Sequence, residues 1–231
     1  MYQLSLLRQH FNSLVVGLFC AGFCSILFAS ENQPTVKASQ GVNSGKVVLI
    51  VGDSLSAEYG LSRGTGWVNL MSQQAAKESV KVKFVNASIS GDTSSGGVSR
   101  LPQLLSAHKP HLLVVELGGN DALRGLSLQM TQNNLMTMAT EGKKAGAKVL
   151  VVAMQVPPNY GSNYRQQMDA VYLKVTKETG SQLNTNFLKG VADDPDPLKW
   201  FQADRIHPNE AAQSLMMKNI WPQIKKILQN F

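Results

Sequence analysis

Cysteine is almost missing from this chain of 231 residues: there are two, Cys20 and Cys24, both within the first 30 positions. Everything after them is therefore without disulfides, thiol nucleophiles or cysteine metal ligands. Histidine is scarce as well, with four copies. His10 lies in the N-terminal apolar region, and His108 and His111 flank Lys109-Pro110 as surface residues, which leaves only His207 among polar residues suited to chemistry. No metal and no cofactor is expected. Charged residues make up 16% of the chain, and its 22 lysines and arginines are scattered rather than clustered. That scatter argues against a nucleic-acid partner. There is no internal repeat and no low-complexity tract.

Long apolar runs are also rare, and the longest comes first. Leu14 to Ala29 is apolar, is preceded by Arg8 as its only charge, and ends in the small residues Ala29-Ser30. This is the pattern of a secretory signal peptide over residues 1–29. An uncleaved membrane anchor is the rival, but the run falls short of the roughly 20 residues a spanning helix needs. Neither cysteine follows the small-residue pattern of a lipid-modified one. Export of a protein without disulfides points to a bacterial periplasm or the extracellular medium, with no stable membrane insertion after cleavage. Loss of Arg8 lowers the formal charge from +7 to +6. Residues 30–45, polar and rich in Gly and Ser, read as a flexible leader.

Residues 46–231 read as one α/β domain. Val47 to Val51, His111 to Leu117 and Ala147 to Val156 are apolar runs suited to strands buried on both faces. Val80 to Ala87 alternates apolar residues with lysines, as a strand nearer the sheet edge would, and Gln182 to Phe187 supplies a short last strand. Helical periodicity marks Trp67 to Ala76, Val98 to Leu105, Leu126 to Lys144, Arg165 to Thr179 and Glu210 to Leu228. Pro102 predicts a kink or a break into two short helices, and Pro222 a bend in the last one. Strands alternating with helices, without hairpin signals, imply a parallel sheet with helices on both sides.

In such a sheet the loops at the carboxyl ends of the strands converge on one edge, and four of them carry unusual residues. Gly52-Asp53-Ser54 ends the first strand, and a helix starting after Ser54 would place its hydroxyl near partial positive charge. Asn86 to Thr93 contains Gly91, and Glu116 to Asp121 contains Asn120. Asp204-Arg205-Ile206-His207-Pro208 precedes the last helix. Three residues apart in a tight turn, Asp204 can hold one imidazole nitrogen of His207 while the other faces outward as a base. The alternative is that Asp204 and Asn209 cap the last helix. A serine needs such a base, and the pair needs a nucleophile; together they predict acyl transfer. Acyl transfer also requires preorganised donors for an oxyanion. The backbone N–H groups of Ser54 and Gly91 and the side-chain amide of Asn120 fit that need.

These blocks, Gly52-Asp53-Ser54-Leu55, Gly91, Gly118-Gly119-Asn120-Asp121 and Asp204 to Pro208, resemble in order those of the SGNH (GDSL) hydrolases. The resemblance runs from about Lys46 to Phe231 and is close to one branch, the bacterial periplasmic esterases, thioesterases and lysophospholipases. It implies a three-layer, flavodoxin-like αβα sandwich with a mostly five-stranded parallel sheet. It also implies Ser54 as nucleophile, His207 as base, Asp204 as its orienter, and Ser54, Gly91 and Asn120 around the oxyanion. The loop from Asp121 to Ser127 would line the acyl site, so Asp121, Leu123 and Pro158 are the expected substrate-binding residues. Tyr59, Gly60, Val156-Pro157-Pro158 and Asp193 to Pro197 depart from the family pattern.

The expected substrate is a small-molecule or lipid acyl ester or thioester, cleaved by a monomer. A carbohydrate O-acetylesterase of the same family and a non-catalytic binding module are the alternatives. Gly60-Leu61-Ser62-Arg63-Gly64 matches the Gly-x-Ser-x-Gly pattern of another hydrolase fold but lacks the buried strand that motif requires. Gly91 to Gly96 has P-loop spacing, with Gly97-Val98 where the lysine and hydroxyl residue belong.

Overall fold

The computed structural model describes residues 45–156 and 158–231; the expected signal peptide and nearly all of the expected leader lie outside them. Five strands form one sheet: β1 (Lys46–Gly52), β2 (Val82–Asn86), β3 (Leu112–Glu116), β4 (Lys148–Val152) and β5 (Gln182–Asn184). Their order is β2-β1-β3-β4-β5, and every pair is parallel. The helices are α1 (Trp67–Lys77), α2 (Ser94–His108), α3 (Gly119–Leu123), α4 (Leu128–Lys144), α5 (Ser162–Thr179) and α6 (Glu210–Gln229). Among them α1 packs on α6, while α2, α4 and α5 pack in succession, giving a helical layer on each face. Strands covered on both sides cannot afford polar residues, and β1 and β3 accordingly bury Val48 to Val51 and Leu112 to Val115 completely.

The chain leaves β1 toward β2 on one side and leaves β3 toward β4 on the other. This strand order places the topological switch point between β1 and β3, where open α/β sheets hold their ligands. Gly52 pairs with Glu116 at the ends of those two strands, so the segments beginning at Asp53 and Leu117 emerge side by side.

Several elements differ from the sequence reading, each for a local reason. Pro102 lies inside a single helix α2 rather than between two short ones. Its neighbours Leu101 and Leu105 are both buried, and that anchoring holds the helix across the missing hydrogen bond. Pro222 likewise sits within α6, between buried Trp221 and Ile224. The strand expected to reach Val156 stops at Val152, and Met154 and Val156 leave the sheet to form a groove wall. β5 ends at Asn184, whose side chain accepts the N–H of Asn186 at 3.1 Å and turns the chain. Phe187 then packs edge-on against Trp67, with ring centroids 5.1 Å apart.

No helix starts at Ser54. The Ala57 N–H does reach the Asp53 carbonyl at 2.9 Å. Left-handed backbone at Glu58 (φ 60°) and Gly60 (φ 69°) ends that single turn, and α1 begins only at Trp67. Among the described residues no helix is long and apolar enough to cross a membrane.

Candidate active site

Ser54 is 8% exposed at the tip of β1. Its Oγ lies 2.9 Å from His207 Nε2, and His207 Nδ1 lies 2.6 Å from Asp204 Oδ2. The turn carrying the latter two residues is built by Asp204 itself, whose Oδ1 accepts the N–H groups of Ile206 (2.9 Å) and His207 (3.0 Å). Arg205 takes a left-handed φ of 59° to let the chain close that tightly. The N–H of Gln202 donates to the His207 carbonyl at 2.8 Å, and Phe201 bridges Pro208 in antiparallel fashion. Asn209, not Asp204, caps α6, accepting the Ala212 N–H at 3.3 Å. Of the two roles open to Asp204, the structure therefore gives it the imidazole.

The protonation of Asp204 suits that position. Burial raises its pKa, but the N–H of His207, the imidazole and the N–H of Ile206 outweigh burial, and the carboxyl is lowered to about 2. It is an anion wherever the protein would work. Sequence reasoning did not anticipate Tyr59, whose ring is tilted against the His207 ring at a centroid distance of 4.4 Å. Gln202 Nε2 donates to the Tyr59 carbonyl at 2.9 Å, fastening that segment to the His207 loop.

Three groups are the expected oxyanion donors: the N–H groups of Ser54 and Gly91 and the Asn120 amide. Gly91 adopts φ 78°, a conformation open to glycine at little cost. Among the described residues the backbone N–H groups of Ser54 and Gly91 have no protein acceptor. The loop after β2 is tied to β1 by the Ile89 N–H, which donates to the Gly52 carbonyl at 3.1 Å. Arg100 adds a second tie, binding the Asp92 carboxylate at 2.8 Å and the carbonyls of Ala87 and Gly52. Asn120, in the first turn of α3, completes the set. Its Nδ2 donates to Asp53 Oδ2 at 3.1 Å and to the Asp92 carbonyl at 3.0 Å. Both amide hydrogens thus have acceptors, and an oxyanion would take over one of them. Replacing Asn120 with Ala is expected to lower kcat by about 10²–10³ with little change in KM, read from steady-state hydrolysis of a p-nitrophenyl ester.

A groove of about 1080 Å³ opens beside Ser54 and His207. Leu123, Met154, Val156, Met168, Leu188 and Leu198 give it apolar walls. Leu123, one of the expected substrate-binding residues, is part of this lining. Asp121 is not: it is 1% exposed and does not line the groove. Its carboxylate turns inward, accepting the N–H of Ser94 at 2.8 Å, the Ser94 hydroxyl, and Thr131 Oγ1 at 3.1 Å. It fastens α2 and α4 to α3. Pro158 opens a short 3-10 turn through Tyr160. Among the described residues no cluster of His, Asp and Glu is arranged to hold a metal ion.

A serine hydroxyl bonded to an imidazole, itself held by a carboxylate, beside free N–H donors and an apolar groove is an arrangement that supports acyl transfer. Residues 50–215 match the GDSL-like lipase/acylhydrolase family, and the chain belongs to it. Esterase TesA of Pseudomonas aeruginosa is 45% identical over 80% of this chain and 90% of its own length. Thioesterase 1/protease 1/lysophospholipase L1 of Escherichia coli K12 is 40% identical over 79% of this chain and 85% of its own. A crystal structure of TesA superposes with a TM-score of 0.75 at 46% identity, covering 79% of this chain and 99% of that one.

Proposed function

We propose that this protein is an exported serine hydrolase that cleaves carboxylic ester and thioester bonds of acyl substrates through an acyl-enzyme. The observation that carries this reading is the continuous hydrogen-bonded line from Ser54 Oγ through His207 to Asp204. In this mechanism Ser54 Oγ attacks the acyl carbonyl as its proton passes to His207 Nε2. The tetrahedral oxyanion is taken by the N–H groups of Ser54 and Gly91 and by the Asn120 amide. Protonated His207 then gives its proton to the departing alcohol or thiol, and water, activated by the same imidazole, releases the acid. Asp204, ionised throughout, keeps Nδ1 protonated and stabilises the imidazolium that forms.

The groove supports an acyl group longer than acetyl, because it is mostly apolar and continues well past Ser54. A series of p-nitrophenyl esters from acetate to palmitate, run beside acyl-CoA, a lysophospholipid and acetylated xylan, tests this. The expected result is kcat/KM rising with chain length, by at most about fourfold per methylene while the chain stays in the groove. Highest activity on acetylated xylan with no length dependence would instead favour the O-acetylesterase reading. Export rests on the pattern of residues 1–29, and N-terminal sequencing of the exported protein would read whether cleavage falls near Ala29.

A further inference from the structure

Glu116 is a charged residue type at the end of an otherwise apolar strand, and it is completely buried. A Cβ built on Gly52, its partner across the sheet, would lie 2.5 Å from Glu116 Oε2, so only glycine leaves the carboxyl its place. Oε2 accepts two hydrogen bonds, from Ser56 Oγ at 2.6 Å and from the Asp53 N–H at 3.3 Å. Ser56 Oγ itself accepts from Trp67 Nε1 at 3.2 Å, so its one hydrogen is directed to Glu116. Among the described residues no donor approaches Oε1.

Asp53, whose N–H reaches that Oε2, carries a carboxyl that is itself 1% exposed, so two buried carboxyls adjoin at the ends of β1 and β3. Two adjoining buried carboxylates cannot both be charged without a cation, since neither water nor an opposite charge offsets the repulsion. The groups packed around them supply none. Arg100 on α2 is engaged with Asp92 and with backbone carbonyls, and Tyr172 on α5 donates to the Leu117 carbonyl at 2.9 Å. Ser88, in the loop after β2, has an unpartnered hydroxyl, and His207 lies beyond Ser54 against Asp204. One carboxyl must therefore hold a proton.

The distribution of donors over the four oxygens says which. Asp53 receives the Leu55 N–H on Oδ1 at 3.1 Å and the Asn120 amide on Oδ2 at 3.1 Å. Both Asp53 oxygens thus have a donor, whereas Glu116 takes both of its donors on Oε2, and among the described residues Oε1 has none, which makes Oε1 the oxygen open to a proton. We propose that Glu116 is a positioning residue that works as a neutral acid, sharing its proton with Asp53 and so fixing the anion that holds the Asn120 amide and the backbone leading into Ser54. The electrostatics agree: burial, reinforced by the Asp53 charge, pushes Glu116 well above the usual carboxyl range. Burial raises Asp53 only to about 6, because the Leu55 N–H, Glu116, His207 and Asn120 favour its anion.

This role rests on the hydrolase reading, whereas the proton itself does not, and the test separates them. In infrared spectra at neutral pH, the full-length protein should show a carboxylic-acid C=O stretch that shifts in D₂O and disappears in Glu116→Gln. Absence of that band, or its persistence in Glu116→Gln, overturns the proposal. In steady-state kinetics Glu116→Leu is expected to lower kcat by up to about 100-fold with KM little changed. The conservative Glu116→Gln, which keeps a donor toward Asp53 and an acceptor for Ser56, should restore most of it. A Glu116→Gln enzyme as impaired as Glu116→Leu would mean that an anion is required at this position, and would overturn the proposal. If the wild-type protein shows the band but does not react with a fluorophosphonate at Ser54, the hydrolase reading fails and the shared proton stands.

Discussion

Replacing Ser54 with Ala is expected to leave the fold intact and to lower kcat on a p-nitrophenyl ester by about 10⁴–10⁶. The fold should survive because, among the described residues, the Ser54 side chain hydrogen-bonds only to His207. The turn around it is held by its neighbours instead: the Asp53 carbonyl accepts the N–H groups of Ser56 and Ala57, and Asp53 Oδ1 accepts the N–H of Leu55. Turnover should collapse because the remaining groups can stabilise an oxyanion but have nothing to form it. Circular dichroism and thermal unfolding of the variant should overlay the parent while its initial rate falls to the limit set by the oxyanion donors alone. A variant retaining a tenth or more of the parental kcat would exclude Ser54 as the attacking atom.

Asp204→Asn should cost about 10⁴ in kcat although the side chain keeps its size. As a carboxylate, Asp204 accepts the proton on His207 Nδ1 and leaves Nε2 free to accept from Ser54. An asparagine can present its NH₂ to Nδ1 instead, which puts the ring proton on Nε2, facing the hydroxyl that must lose one. The hydrogen bonds from the N–H groups of Ile206 and His207 can pass to the amide oxygen, so the turn itself is expected to persist. The pH dependence follows from the lowered carboxyl. Asp204 shifts from 3.8 to about 2 in the fold. Its stabilising contribution is therefore complete above about 4 and is lost as the pH falls toward 2. Loss of activity between pH 4 and 7 must come from other groups, because Asp204 stays charged throughout. The raised Asp53 has the opposite sign. It favours the fold most at low pH, and that contribution disappears as the pH rises through about 6.

The site was legible in the sequence to the extent that loop position decides it. Apolar runs ending in Gly52-Asp53-Ser54 and in Glu116 to Asn120 announce adjacent parallel strands, and those strand ends do meet. What spacing does not give is the direction in which a side chain faces. Asp121 adjoins Asn120, yet one step along α3 turns its carboxylate into the interior, where Ser94 and Thr131 take it up. Asp204 and Asn209 were interchangeable as caps until the turn geometry assigned each its own partner. Ser54 looked like the start of a helix because nothing in local composition reveals that Glu58 takes a left-handed backbone. Tyr59 contacts His207 across almost the whole length of the domain, and no local pattern signals such a contact. Glu116 did leave a trace, since an acidic residue closing the run Leu112-Leu113-Val114-Val115 has no solvent to meet. Its partner Asp53 is a tertiary neighbour and becomes visible only with the sheet register.

The central claim is that Ser54 is driven to attack by an imidazole contributed from the far end of the chain. Treatment with a fluorophosphonate, followed by mass spectrometry of the digested protein, tests it most directly. The account predicts one phosphonyl group per chain, on the peptide containing Ser54, and its loss when His207 is replaced by Ala in a folded variant. Labelling at another residue, or labelling of Ser54 at an undiminished rate without His207, would contradict it.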